Sequence, residues 1–107
     1  KDNLKQALLS TGDQFDTYSP DNDWWKFFWI KSDTLPSKPF RWPYIDNFFF
    51  SENNTHIFDE SPTYRLSYSF PKHHIFPLSC HPFAGAMLPV PCNIYAVVNK
   101  NYSPKLC

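Results

Sequence analysis

Trp24-Trp25-Lys26-Phe27-Phe28-Trp29-Ile30 carries five aromatic rings in seven positions, more apolar area than any other segment of the chain. Aromatic side chains each bury on the order of 150–250 Å², so the rest of a short chain must either pack around this segment or leave it as a binding surface. Read as a strand, it turns Trp24, Lys26, Phe28 and Ile30 to one side and Trp25, Phe27, Trp29 and Lys31 to the other. Both sides are mostly apolar, which predicts a central strand covered on two faces. As a helix, Lys26 would stand alone on an apolar cylinder; the aromatic content favours the strand.

Working outward, Asp2–Ser10 has Leu4, Ala7 and Leu8 at helical spacing, Asp2 or Asn3 as a cap and Gly12 beyond its end, which predicts a short helix docking Leu4 and Leu8 on the aromatic segment. Thr11–Asp23 is polar and acidic and reads as a loop. Ser32–Pro43 contains Pro36, Pro39 and Pro43, so Phe40–Tyr44 is expected as an extended rim, with Arg41 stacking on Trp42 or Trp29. Ile45–Phe50 reads as a short apolar strand, and 51–55 as an exposed turn.

Beyond it, Tyr64, Leu66, Tyr68 and Phe70 alternate with polar residues, predicting a half-buried strand over Thr63–Phe70. Ile75-Phe76 reads as a short strand, Ser79–Cys92 as irregular, and Ile94–Lys100, with Val97-Val98, as the last strand. The expected fold is a single domain over 1–107, α+β and β-dominated: a small antiparallel sheet with one short N-terminal helix.

The 107 residues are 20% aromatic, too rich for a disordered segment, and hold 11 Pro against 2 Gly. Formal charge is zero, which gives no general attraction to nucleic acid or to an anionic membrane. The distribution is uneven: every acidic residue lies between Asp2 and Glu60, and none follows Ser61. No apolar run is long enough to span a membrane.

Asn53-Asn54-Thr55 and Asn101-Tyr102-Ser103 fit the glycosylation acceptor pattern at Asn53 and Asn101. Cys80, Cys92 and Cys107 cluster near the end of the sequence, and the chain starts at Lys1 without an apolar leader. Together these features predict a secreted, mature product. A disulfide joining Cys107 to Cys80 or Cys92 is expected, leaving an odd thiol free or shared with a second chain.

Metal binding is not expected, because His56, His73, His74, His81, Cys80 and Cys92 lack a Cys-x-x-Cys or His-x-x-x-His spacing. No cofactor is expected: two isolated glycines do not make a phosphate-cradling loop. Cys80-His81 has no nucleophile elbow around it. His73 or His74 with Glu60, Tyr64 and Arg65 holds the residue types of a ribonuclease-like acid–base set, with Tyr64, Arg65 and the histidines near one strand, but any domain with four histidines offers such a set. The sequence therefore predicts a non-enzymatic, secreted interaction domain of the effector, inhibitor or surface-glycoprotein type. Its partner is a protein, bound through Phe40, Arg41, Trp42 and Tyr44. The ribonuclease-like domain and a carbohydrate or ligand carrier are the two alternatives.

Overall fold

Trp25–Thr34 does form a strand, the middle one of a three-stranded antiparallel sheet, in a computed structural model that describes residues 1–103 and 105. The elements in order are α1 (Asp2–Leu9), β1 (Phe15–Tyr18), β2 (Trp25–Thr34), β3 (Arg41–Asn47), β4 (Phe50–Glu52), β5 (His56–Asp59), β6 (Ser69–Pro71), α2 (Lys72–Ile75), β7 (Ser79–Phe83), β8 (Ala86–Val90) and α3 (Ile94–Asn101). The result is a β-dominated α+β fold with small antiparallel sheets and a short N-terminal helix, as expected from the sequence. The chain divides into two compact units, Lys1–Phe49 and Phe50–Cys107.

In the first unit, β2 pairs with β1 on one side and β3 on the other. Trp25 and Phe28 are its buried rings; Trp25 meets the edge of Phe49 at 4.7 Å and donates from its indole to the Pro20 carbonyl at 2.9 Å. The strand is not covered on both faces, since Trp29 and Ile30 are exposed. Helix α1 lies along β1 but buries none of its side chains, so Leu4 does not dock in a core.

The second unit holds the β4–β5–β6 sheet, the β7–β8 hairpin and two helices, around buried Phe70 and Ile75. Four expectations fail here. Thr63–Phe70 is not a strand except at its end: the Asp59 carboxylate accepts from Ser61 N–H at 2.7 Å, and Tyr64 and Arg65 both donate backbone N–H to the Ser61 carbonyl. Tyr68 N–H then reaches the Tyr64 carbonyl at 2.9 Å, closing a helical-type turn that leaves Leu66 89% exposed. Turn chemistry at Asp59-Glu60-Ser61-Pro62 thus overrides the alternation.

Ile94–Asn101 is a helix, because the Asn93 side chain accepts from Ala96 N–H at 3.0 Å and caps it; the cap outweighs the β-preference of Val97-Val98. Ile75 likewise ends the short helix α2. The supposedly irregular 79–92 contains a hairpin turned by Ala84 and Gly85, both with positive φ (48° and 81°). Pro82 and Pro89 are tolerated because each strand of a two-stranded ribbon is an edge.

Candidate functional site

Proline at position 43 shapes a cleft of the first unit. Strands β2 and β3 pair regularly from Trp25↔Asn47 to Phe28↔Tyr44, then resume at Asp33↔Trp42. Residues 29–32 of β2 therefore face position 43 alone, four residues against one. Pro43 has no N–H to give the ladder, and β2 bulges away from it.

Three hydrogen bonds hold the bulge in shape. Buried Ser32 donates its hydroxyl to the Trp29 carbonyl at 2.6 Å. Arg41 donates from its guanidinium to the Ser32 carbonyl at 3.0 Å. On the other side, Ile30 N–H reaches the Gln14 carbonyl at 2.9 Å, tying the bulge toward β1.

The bulge opens a cleft of about 460 Å³ walled by Phe15, Phe27, Trp29, Trp42 and Tyr44, with Lys31 and Asp33 also lining it. Phe15 stacks on Phe27 at 5.1 Å and 26°, forming a flat apolar wall. Trp42 meets Tyr44 edge-on at 5.5 Å and is 54% exposed, so its face is open to a ligand. The cleft can take a planar aromatic ring between rings and present a cation and a carboxylate to polar groups on that ring's substituents.

Of the residues expected to form a site, Trp42 and Tyr44 line this cleft. Arg41 shapes it from behind through Ser32 and does not stack on Trp42 or Trp29. Phe40 turns elsewhere, packing on Tyr18 at 5.7 Å and Tyr44 at 5.1 Å. There it helps Trp24 and Tyr44 surround the ammonium of Lys26, which pairs with Asp46. Sequence reasoning missed Trp29, Lys31 and Asp33 as cleft residues. The available signal was Pro43 itself, since a proline inside a strand demands an irregularity in its neighbour.

The acid–base set is not assembled by one element. His73 and His74 stand in α2 with ring centroids 4.3 Å apart, whereas Glu60, Tyr64 and Arg65 belong to the turn after β5. Glu60 accepts from the Ser51 hydroxyl at 3.2 Å, and Arg65 lies over the Phe58 ring. Among the described residues, no group of three or more His, Cys, Asp or Glu side chains is placed to hold a metal ion.

Cys80 and Cys92 are free and exposed, and the expected bridge to Cys107 falls on a residue outside those described. The Asn53 side-chain oxygen accepts from the N–H groups of Thr55 and His56, making the acceptor triplet a closed turn; Asn101 ends α3. No helix among the described residues is long and apolar enough to cross a membrane.

The LicD/FKTN/FKRP nucleotidyltransferase-domain family matches residues 2–93, most of the chain. No curated protein and no solved structure matches it. The family match corrects the functional reading from sequence: a non-enzymatic protein-binding module of the effector, inhibitor or surface-glycoprotein type gives way to a transferase-type enzyme family, and Cys80 and Cys92 give no support to a disulfide-bonded description. Neither the ribonuclease-like nor the carrier alternative fits the match better. The physical reason for the error is plain: the prolines at 36, 39 and 43 and the aromatic rim at Phe40, Trp42 and Tyr44 describe a recognition surface, and enzymes carry such surfaces too.

Proposed function

This chain belongs to the LicD/FKTN/FKRP nucleotidyltransferase-domain family, and from that premise we propose that it serves transfer chemistry on a nucleotide, with the β2–β3 cleft holding the nucleotide's base. Nucleotidyl transfer moves a nucleotide between phosphate partners and an acceptor oxygen, and positioning supplies much of its acceleration. A member must therefore fix a base and its phosphates relative to one another.

The observation that supports this reading is the cleft itself: aromatic walls from Phe27, Trp29 and Trp42, with Lys31 in the same lining. Base–aromatic stacking contributes roughly 1–3 kcal/mol per base, and a lysine within the same cleft suits a phosphate attached to that base. Asp33, also in the lining, is an acceptor for a ribose hydroxyl or an exocyclic amine.

Calorimetric titration with the four common ribonucleoside triphosphates tests the reading. At least one should bind, and Trp42→Ala should weaken it by about tenfold, the lower half of the range for a stacked base. Trp42 is half exposed, so the variant keeps its fold. Binding that is indifferent to Trp42→Ala and Trp29→Ala would move the base out of this cleft.

A further inference from the structure

We propose that the β7–β8 hairpin, with the exposed side of α3 beside it, docks the chain on an anionic lipid surface. It does so whether or not the first unit binds a nucleotide, because every residue involved lies in the second unit.

Every residue of β7 is exposed, and so is every residue of β8 except Val90. In the observed register Phe83 and Leu88 turn to one face of the ribbon and Met87 to the other. Phe83 is 67% exposed and Met87 63%, so apolar side chains meet solvent on both faces of the tip. A protein partner covers one face of such a ribbon, whereas a lipid layer surrounds the tip and covers both. The turn fits the same medium. Ala84 has φ 48°, a conformation for which Asn or Asp is the usual non-glycine choice in water, yet Ala84-Gly85-Ala86 offers no polar side chain. Space is open around Gly85. Pro82 and Pro89 remove two N–H groups that an immersed ribbon would otherwise have to desolvate.

Helix α3 continues the apolar surface from the root of the hairpin. His81 and Val90 share a groove of about 370 Å³ with Ile94, Tyr95 and Val98, and Ile94, Tyr95, Val98 and Tyr102 are all exposed. Tyrosines suit a boundary where one end of the side chain is apolar and the other wet. Charge supplies the sign of the surface. From His73 to Asn99 the chain has no Asp, Glu, Lys or Arg, and Lys72 and Lys100 bound this stretch. No acidic residue follows Glu60, so the zero net charge of the whole chain hides a cationic half. Lys72 is paired with Glu52, but Lys100 donates to the Ser69 carbonyl, a neutral group that leaves its charge uncancelled. Anionic headgroups attract such cations, and the tip can enter the headgroup–acyl boundary by about 5–10 Å.

Flotation of the full chain with phosphatidylcholine vesicles, with and without phosphatidylserine, tests this docking. The chain should float with the phosphatidylserine vesicles, bind them more tightly than phosphatidylcholine alone, and lose affinity in high salt. Phe83→Asp and Met87→Asp should each weaken binding by about tenfold, as loss of a buried apolar side chain does. Leu66→Asp, at an exposed apolar residue outside the patch, should not. Circular dichroism of the hairpin variants should match the parent, because both side chains stand in solvent. Failure to float with either vesicle overturns the proposal, as does binding that ignores both hairpin substitutions or the phosphatidylserine. A lipid-free dimer in sedimentation equilibrium that Phe83→Asp disperses also overturns it, since a second copy then covers the tip.

Discussion

Arg41 donates to the carbonyl of Ser32 at 3.0 Å, across the gap that Pro43 leaves in the β2–β3 ladder. Arg41 is thereby a brace for the cleft and stands behind its surface. Arg41→Ala should destabilise the fold by about 1–2 kcal/mol, the range for a hydrogen bond from a charged donor at a partly exposed site. It should also loosen the cleft enough to weaken nucleotide binding. Urea denaturation and calorimetry read the two effects separately, and Arg41→Lys should recover less of the binding than of the stability, because lysine lacks the planar fork.

Lys26 and Asp46 face each other directly across β2 and β3, with Trp24, Phe40 and Tyr44 ringing the ammonium. The Lys26 side chain is the more enclosed, 14% exposed against 32% for Asp46. Asp46→Asn leaves a cation with no counter-charge among rings and should lose about 2 kcal/mol in denaturant midpoint analysis. Lys26→Met leaves a carboxylate that water can reach and keeps the packing, so it should lose less. The reverse order would show that the pair is dispensable and the rings hold the cation unaided.

Asn93→Ala should destabilise the second unit by about 1 kcal/mol through loss of the α3 cap. Circular dichroism at equal protein concentration should show reduced helix, and Asn93→Ser or Asn93→Asp should restore it.

Asp59 is buried, at 1% exposure, and its carboxylate holds the turn that begins at Ser61. Asp59→Ala should destabilise by about 2–3 kcal/mol, since it leaves the Ser61 N–H without its partner in a buried turn. Nucleotide binding by the first unit should persist wherever the variant remains folded.

The fold was legible where composition and local chemistry agreed. Trp24–Lys31 read as a strand because aromatic density is difficult to place on any other element, and Asp2–Ser10 read as a helix from its leucine spacing. It was illegible where a single polar side chain overrode a longer pattern: Asp59 turned Thr63–Tyr68, and Asn93 made a helix of a segment with β-branched residues. The candidate site was half visible. Trp42 and Tyr44 were found by asking where prolines force an edge, but the opposite wall, Trp29 to Asp33, depends on the pairing register of β2 and β3. Register is set in three dimensions, and neither strand alone discloses it. The transferase chemistry was not legible from the motifs weighed: two isolated glycines make no phosphate loop, and the histidines and cysteines follow no ligand spacing.

A nucleotide bound by this chain should sit in the β2–β3 cleft. Amide and indole chemical shifts followed by NMR during titration with the tightest-binding ribonucleoside triphosphate locate it directly. The largest changes should fall on Phe27–Asp33, on Trp42–Ile45 and on the indole N–H signals of Trp29 and Trp42, with Phe50–Ser103 little affected. Shifts confined to the β7–β8 hairpin and α3, with the cleft signals unmoved, would contradict it.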